Sequence, residues 1–150
     1  MLWRALFAFL ALPGMVAILV PAWIAMGRLK AGGPFHPVGL LPLGLGFVLL
    51  LWCVRDFYVA GRGTLAPWAP PKHLVTTGLY RFSRNPMYVA VALMLAGWAS
   101  SFASTALAIY AISVIVAFHL RVVFGEEPWL ARTHGAAWEE YRVRVPRWLM

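Results

Sequence analysis

The sequence predicts an all-α integral-membrane protein of about four transmembrane helices, and three observations predict it. The chain is 62% hydrophobic and only 12% charged over 150 residues, against about 45–50% apolar and roughly 25% charged in a soluble domain. It contains four apolar segments of the order that a bilayer requires, roughly 20 residues with about 17 as the short limit. Its positive residues are also distributed very unequally between those segments. So little charge cannot cover a water-facing surface, and so much apolar residue excludes disorder. The length suits a single membrane-embedded domain over 1–150.

The first predicted span is 2–26, with Pro13-Gly14 as a kink. Arg4 followed by an apolar run has the look of a signal peptide, but no small-x-small cleavage site follows and the run continues to Met26, so the segment reads as a retained span. The second is 38–58. The third, 86–101, is short, with Pro86 at its start. The fourth is 104–124, and only the uncharged stretch Ser100-Ser101-Phe102-Ala103-Ser104 separates it from the third, which predicts a tight helical hairpin or one broken helix. The loop 59–85 is too rich in Pro and Gly for a long helix, and Gly78 marks a turn. In the tail, 125–150, Pro128 suits a first helical position with Glu127 capping before it. Trp129, Leu130, Ala137, Trp138 and Tyr141 give that helix an amphipathic surface expected at the membrane face, and Val145-Pro146 ends it.

Eleven of the thirteen Lys and Arg residues fall at one side of these spans (Arg4, the loop 59–85 with Arg55, and the tail with Arg121). Arg28 and Lys30 fall at the other. The positive-inside rule then puts both termini and the long loop in the cytoplasm, and four spans satisfy that parity. The net charge of +8 would suggest nucleic acid in a soluble chain. Here the arginines follow membrane side, and an anionic lipid surface explains them, so no nucleic-acid partner is expected. Cys53 is the single cysteine, and His36, His73, His119 and His134 lack metal-ligand spacing, so neither a disulfide nor a metal site is expected.

The acidic residues number five, Asp56, Glu126, Glu127, Glu139 and Glu140. Carboxylates near hydrocarbon are costly and need a cation. Glu126-Glu127 can serve as a helix cap paired with Arg121 or Arg132, or as recognition groups for a cationic or hydroxyl-rich ligand. Glu139-Glu140 suits solvated pairing with Arg142 and Arg144, and Asp56 suits interfacial pairing with Arg55. Asn85 and Pro86 make a good helix start, and Tyr88 can be an interfacial aromatic. A helix N-terminus also attracts anions, so a carboxylate-bearing cofactor would fit there.

In this setting Leu74-Val75-Thr76-Thr77-Gly78-Leu79-Tyr80 followed by Arg84-Asn85-Pro86-Met87-Tyr88 resembles the cofactor-binding signature of the isoprenylcysteine carboxyl methyltransferases, a broad group shared with membrane phospholipid methyltransferases. The tail agrees in order: Glu126-Glu127, Leu130, Gly135, Trp138, Tyr141 and Arg144-Val145-Pro146-Arg147. The resemblance covers Thr64 to Pro146. Asn85 stands where the group often has His, and His134-Gly135 where it has Phe-Gly.

The resemblance implies a methyltransferase using S-adenosyl-L-methionine, its pocket completed by the loop and the C-terminal helix. It implies cofactor contacts from His73, Leu74, Val75, Tyr80, Asn85, Pro86, Met87, Tyr88 and Glu126. Arg121 and Glu127 would serve the reacting centre, Arg121 being the arginine nearest before Glu126 and the candidate to hold the acceptor. The implied acceptor is a lipid or hydrophobic small molecule, methylated on a carboxylate; phospholipid amine methylation and a non-catalytic scaffold stay open as alternatives. Methyl transfer is an in-line displacement in which positioning supplies much of the acceleration, and aromatics such as Tyr80 and Tyr88 can face the cation.

Overall fold

A computed structural model describes residues 10–60 and 73–149. Arg4 and the start of the first expected span, and Arg62, Thr64 and Lys72 of the loop, lie outside the described residues. Among the described residues the protein is all-helical. Helix α1 is a π-helical stretch, Leu10–Leu19, continuing as the α-helix Val20–Lys30. A 3-10 turn, Pro37–Gly39, leads into α2, Leu40–Val59. The short 3-10 turn Gly78–Arg81 precedes α3, Pro86–Phe102, and α4 is Thr105–Arg121. A π turn, Val122–Glu126, joins α4 to α5, Glu127–His134, and α6 is Ala136–Arg144.

Helices therefore stand at all four expected apolar segments. Two of them, Pro37–Phe57 and Thr105–His134, are long and apolar enough to cross a membrane. Helix α3 is apolar but has 17 residues, at the lower limit for a span. The outer faces of α2 and α4 expose Leu41, Leu45, Val48, Ile109, Ile112 and Val116. Apolar side chains on that scale suit lipid and would be unstable against water.

The hairpin expected at 100–104 is present. Ala103 adopts the left-handed conformation (φ +43°) that reverses the chain, and the Ser104 hydroxyl caps α4 by accepting from the Leu107 N–H. Helices α2 and α3 pack along a stripe of small residues seven apart, Gly39 and Gly46 against Gly97 and Ala90. A Cβ on Gly97 would lie 2.6 Å from the Leu43 backbone nitrogen, so the two backbones touch. Small residues give membrane helices this close approach, where apolar burial alone provides no drive.

The π geometry of α1 has a local cause. Pro21 has no N–H, so it cannot bond to the carbonyl four or five residues earlier. Those carbonyls belong to Ala17 and Val16. The Trp98 indole donates to Ala17 O at 2.9 Å, and the Tyr110 hydroxyl donates to Val16 O at 2.9 Å. Two side chains, one from α3 and one from α4, thus satisfy the groups that proline leaves open, as an apolar medium demands. Trp98→Phe and Tyr110→Phe are each expected to cost about 0.6 kcal/mol, and at most ~1.7 kcal/mol, the range for hydrogen bonds between membrane helices. Unfolding in mixed micelles measures this, and equal stability of the double variant and the parent would contradict the account.

Helix α5 starts at Glu127 with Pro128 in its first turn, close to the expected start, but it continues α4 without a break, in one helical run from Thr105 to His134. The π turn makes this possible. The Glu127 N–H bonds to Val122 O, five residues back, and this shift in register absorbs a proline that an α-helix would not tolerate. The tail contains two helices, broken at Gly135 (φ +49°). Trp138, Tyr141 and Val145 form a cluster with Leu130 and Leu74 of the loop. Of the residues expected at the membrane face, Leu130, Trp138 and Tyr141 thus pack on the loop, while Trp129 and Ala137 are exposed.

Candidate functional site

The signature loop reaches the site by splitting its two apolar neighbours. Extended backbone sends successive side chains to opposite faces. Leu74 joins the tail cluster, while Val75 joins Cys53 and Tyr80, with Phe57 and Met87 packed against them. The loop is thereby pinned between α2 and the tail. Gly78 turns it with a positive φ of +60°, and the buried Asp56 carboxylate occupies the space where any side chain would stand. Tyr80 stacks at a tilt on Phe57, 5.4 Å between ring centres. Burial pushes the Tyr80 hydroxyl well above its ordinary pKa, and the Tyr141 hydroxyl donates to the Tyr80 carbonyl at 2.7 Å.

Helix α3 begins where the loop meets the C-terminal segment. Asn85 does not cap it with its side chain. Its Nδ2 instead donates to the Arg147 carbonyl at 3.0 Å, and the Ser83 hydroxyl donates to the same carbonyl. The Arg84 N–H bonds to Pro146 O at 2.9 Å. Pro86 is buried at the first helical turn, its missing N–H costing nothing there.

One turn into α3, the Tyr88 hydroxyl donates to Glu126 Oε1. The same oxygen accepts from Arg121 Nε at 2.8 Å. Five residues separate Arg121 from Glu126, one too many for successive turns of an α-helix. The π turn between them widens the helical turn and stacks the two side chains. Tyr88, Glu126 and Arg121 thus form one connected polar set, in which the Arg121 side chain is 54% exposed and that of Glu126 33%.

Glu127 faces elsewhere. Arg147 holds it through two hydrogen bonds, 2.8 and 2.9 Å, and Arg84 Nη1 lies 3.1 Å from it. Arg84 is only 9% exposed and lies over the Trp138 ring at 5.3 Å, a cation–π contact. Burial lowers the Arg84 pKa, and Glu127 opposes that. Among the described residues Arg84 Nε has no hydrogen-bond acceptor, and Nη1 has the Glu127 ion pair alone. Among the described residues the two sets place three guanidinium groups beside two carboxylates, an excess of one positive charge.

Beside Tyr88 a groove of about 420 Å³ runs between α3 and α4. Tyr88, Ala92, Ile115, Phe118, His119 and Trp148 line it, and the surface is nearly all apolar. The Tyr88 ring packs on Phe118, 4.4 Å between centres. Tyr88 therefore joins the two halves of the site, with its ring in the groove and its hydroxyl on Glu126.

The structure brings together Tyr88, Glu126 and Arg121 of the expected residues, and sets Asn85 and Pro86 beside them at the helix start. Glu127 goes to the tail, Leu74, Val75, Tyr80 and Met87 pack in the clusters that hold the loop, and His73 is exposed at its edge. Sequence reasoning missed Arg84, Arg147, His119 and Trp148 as site residues. A charge count signals the first two, because a buried Glu127 demands cations and the signature and tail each supply an arginine. The other expected pairs form: Arg142 with Glu139 and Arg144 with Glu140 at the surface, and the exposed Arg55 with the buried Asp56. Among the described residues no group of acidic, His or Cys side chains could hold a metal ion.

Among curated proteins and among solved structures nothing matches the chain. The family model for phospholipid methyltransferase matches residues 34–137. That range holds the signature loop, the start of α3, both glutamates and the groove walls up to the tail, and it covers more than half of the chain: the protein belongs to the phospholipid methyltransferase family, the broad group of membrane methyltransferases that includes isoprenylcysteine carboxyl methyltransferase-like proteins.

Proposed function

We propose that the protein uses S-adenosyl-L-methionine to methylate the carboxylate of an apolar, membrane-dissolved acceptor. The observation that carries this reading is Tyr88, whose ring lines the apolar groove while its hydroxyl holds Glu126. A polar cofactor and an apolar acceptor have to meet where two such environments join.

The residues present fit the cofactor. It is a zwitterion with hydroxyls and a sulfonium, and it needs both acceptors and donors. Arg84 offers a buried Nε–H without an acceptor among the described residues, suited to a carboxylate. Glu126 offers its second oxygen to hydroxyls or an ammonium. Asn85, Pro86, Met87 and Tyr88 form the uncapped start of α3, whose free N–H groups favour an anion, and His73 borders the loop. When bound, the cofactor supplies an electrophilic methyl group.

Arg121 is the group for the acceptor. One of its five N–H donors goes to Glu126, and the remainder face the exposed side, where a carboxylate can pair with them. Tyr88 keeps Glu126 oriented, and the groove walls exclude water from the acceptor's apolar part, which strengthens the pairing. Transfer to a carboxylate oxygen gives an ester and releases no proton, so no base is needed and Glu127 takes no part in proton transfer. The alternative acceptor is a phospholipid amine, favoured by the family match itself. There a proton leaves the nitrogen, and the second oxygen of Glu126 is the nearest acceptor for it. Eleven positive residues on one side support an orientation with both termini and the loop 59–85 in the cytoplasm, in what we propose is a bacterial inner membrane.

Purified protein in nanodiscs is expected to bind the cofactor or its demethylated product saturably. It is expected to transfer labelled methyl groups to alkylthio carboxylic acids as base-labile esters. Base-stable label in phospholipid headgroups would favour the amine acceptor, and absence of saturable binding would overturn the methyltransferase reading in favour of a scaffold.

A further inference from the structure

Five contacts hold Pro146 and Arg147 against the loop and Glu127. Pro146 O accepts from the Arg84 N–H, Arg147 O accepts from Asn85 and Ser83, and the Arg147 guanidinium grips Glu127 through two hydrogen bonds. The next residue, Trp148, enters the apolar groove and stacks on His119 of α4, 6.0 Å between ring centres and 29° between planes. Beyond it Leu149 is exposed. The anchored segment therefore ends by putting one large aromatic side chain into the wall of the groove.

We propose that Trp148 is a specificity-determining residue that limits which apolar chains the groove accepts, with Arg147 as the positioning residue that holds it there. This rests on the methyltransferase reading above. The occupant is the apolar chain of the acceptor, because the groove is lined by apolar side chains, continues at Tyr88 into the polar set and has the exposed Arg121 beside that set to pair with a carboxylate head. A bulky ring at a groove wall selects by size, and a mismatch of even one methylene in an apolar pocket changes discrimination by about tenfold or more. Trp148 contacts His119 rather than the reacting groups, so its effect falls on the choice of acceptor.

Two measurements test this. The first compares kcat/KM for a short-chain and a long-chain alkylthio carboxylic acid. Trp148→Ala is expected to shift the long-to-short preference by about tenfold, Trp148→Phe to restore most of the parent preference, and Arg147→Ala to move it in the same direction as Trp148→Ala. The second uses a fatty-acid probe carrying a diazirine at the chain end and is independent of turnover. Photolabelling is expected at Trp148 and on the Ile115–His119 segment, and an excess of unlabelled fatty acid is expected to suppress it. An unchanged preference in Trp148→Ala, with parent turnover intact, overturns the proposal and leaves the methyltransferase reading standing. Labelling at Trp148 no stronger than on the lipid-exposed face at Ile109 and Ile112 overturns it whether or not any acceptor turns over.

Discussion

Glu126→Gln is expected to lower kcat/KM for methyl transfer by about a hundredfold, a loss of roughly 2.7 kcal/mol in transition-state stabilisation. The substitution keeps the size of the side chain and removes its charge. Two charge-assisted hydrogen bonds converge on Glu126 Oε1, from Tyr88 and from Arg121, and the carboxylate charge is what orients the guanidinium. An amide oxygen can still accept from both donors but leaves the guanidinium without its counter-charge. Arg121 then turns toward solvent, which its exposure permits, and the acceptor loses its partner. Stability is expected to change little, because a partly exposed ion pair contributes about 1 kcal/mol or less; the melting temperature then moves by at most about 4 °C. Tyr88→Phe, which removes one of the two bonds, is expected to cost about tenfold. The double variant is expected to fall short of the product of the two losses, because both changes act on one connected set. Steady-state kinetics with labelled cofactor measures all three variants. Parent-like activity in Glu126→Gln would remove this carboxylate from the chemistry.

The sequence showed where the helices lie but not how two of them are wound. Four apolar segments and the uncharged hairpin at 100–104 were legible because length, charge and turn residues are properties of residue types. The π turn at Val122–Glu126 was not, because backbone register depends on which carbonyls lose their donors. Pro128 and Pro21 are the visible traces of it: each removes an N–H from a helical run, and the chain accommodates each with a π stretch nearby. Reading the spacing of Arg121 and Glu126 on an α-helical wheel therefore sets them apart, whereas the π turn sets them together. The polar contacts of the tail were hidden for a different reason. Asn85 and Pro86 have ordinary roles at a helix start, and only tertiary packing reveals that Asn85 donates to a carbonyl 62 residues away. The signature loop was legible as a motif, yet its apolar residues Leu74 and Val75 serve two clusters on opposite faces, a division that needs the positions of both α2 and the tail.

The neighbouring glutamate is expected to behave in the opposite way. Glu127→Ala should destabilise the protein by about 3–5 kcal/mol, the cost of removing one partner from a buried ion pair. Adjacent residues on a helix point about 100° apart, so Glu127 turns from the Tyr88 set and sits between Arg84 and Arg147 with a side chain only 15% exposed. Deleting it leaves the Arg84 guanidinium buried against Trp138 without a counter-charge, and frees Arg147 from both of its hydrogen bonds. The tail cluster of Trp138, Tyr141 and Val145 then loses the anchor at its C-terminal end. If the cost comes from the uncompensated cation, removing the cation as well should recover much of it, because an apolar pair in place of a buried ion pair is often neutral or stabilising. Glu127→Ala combined with Arg84→Met is therefore expected to regain at least about 2 kcal/mol of stability while remaining inactive, since Arg84 is the residue proposed to hold the cofactor carboxylate. Denaturation in mixed micelles reads the stabilities, and kinetics reads the activity. A Glu127→Ala variant as stable as the parent, with activity lost in the chemical step alone, would return Glu127 to the reacting centre and would mean that the tail is held by its carbonyl contacts without help from the ion pair.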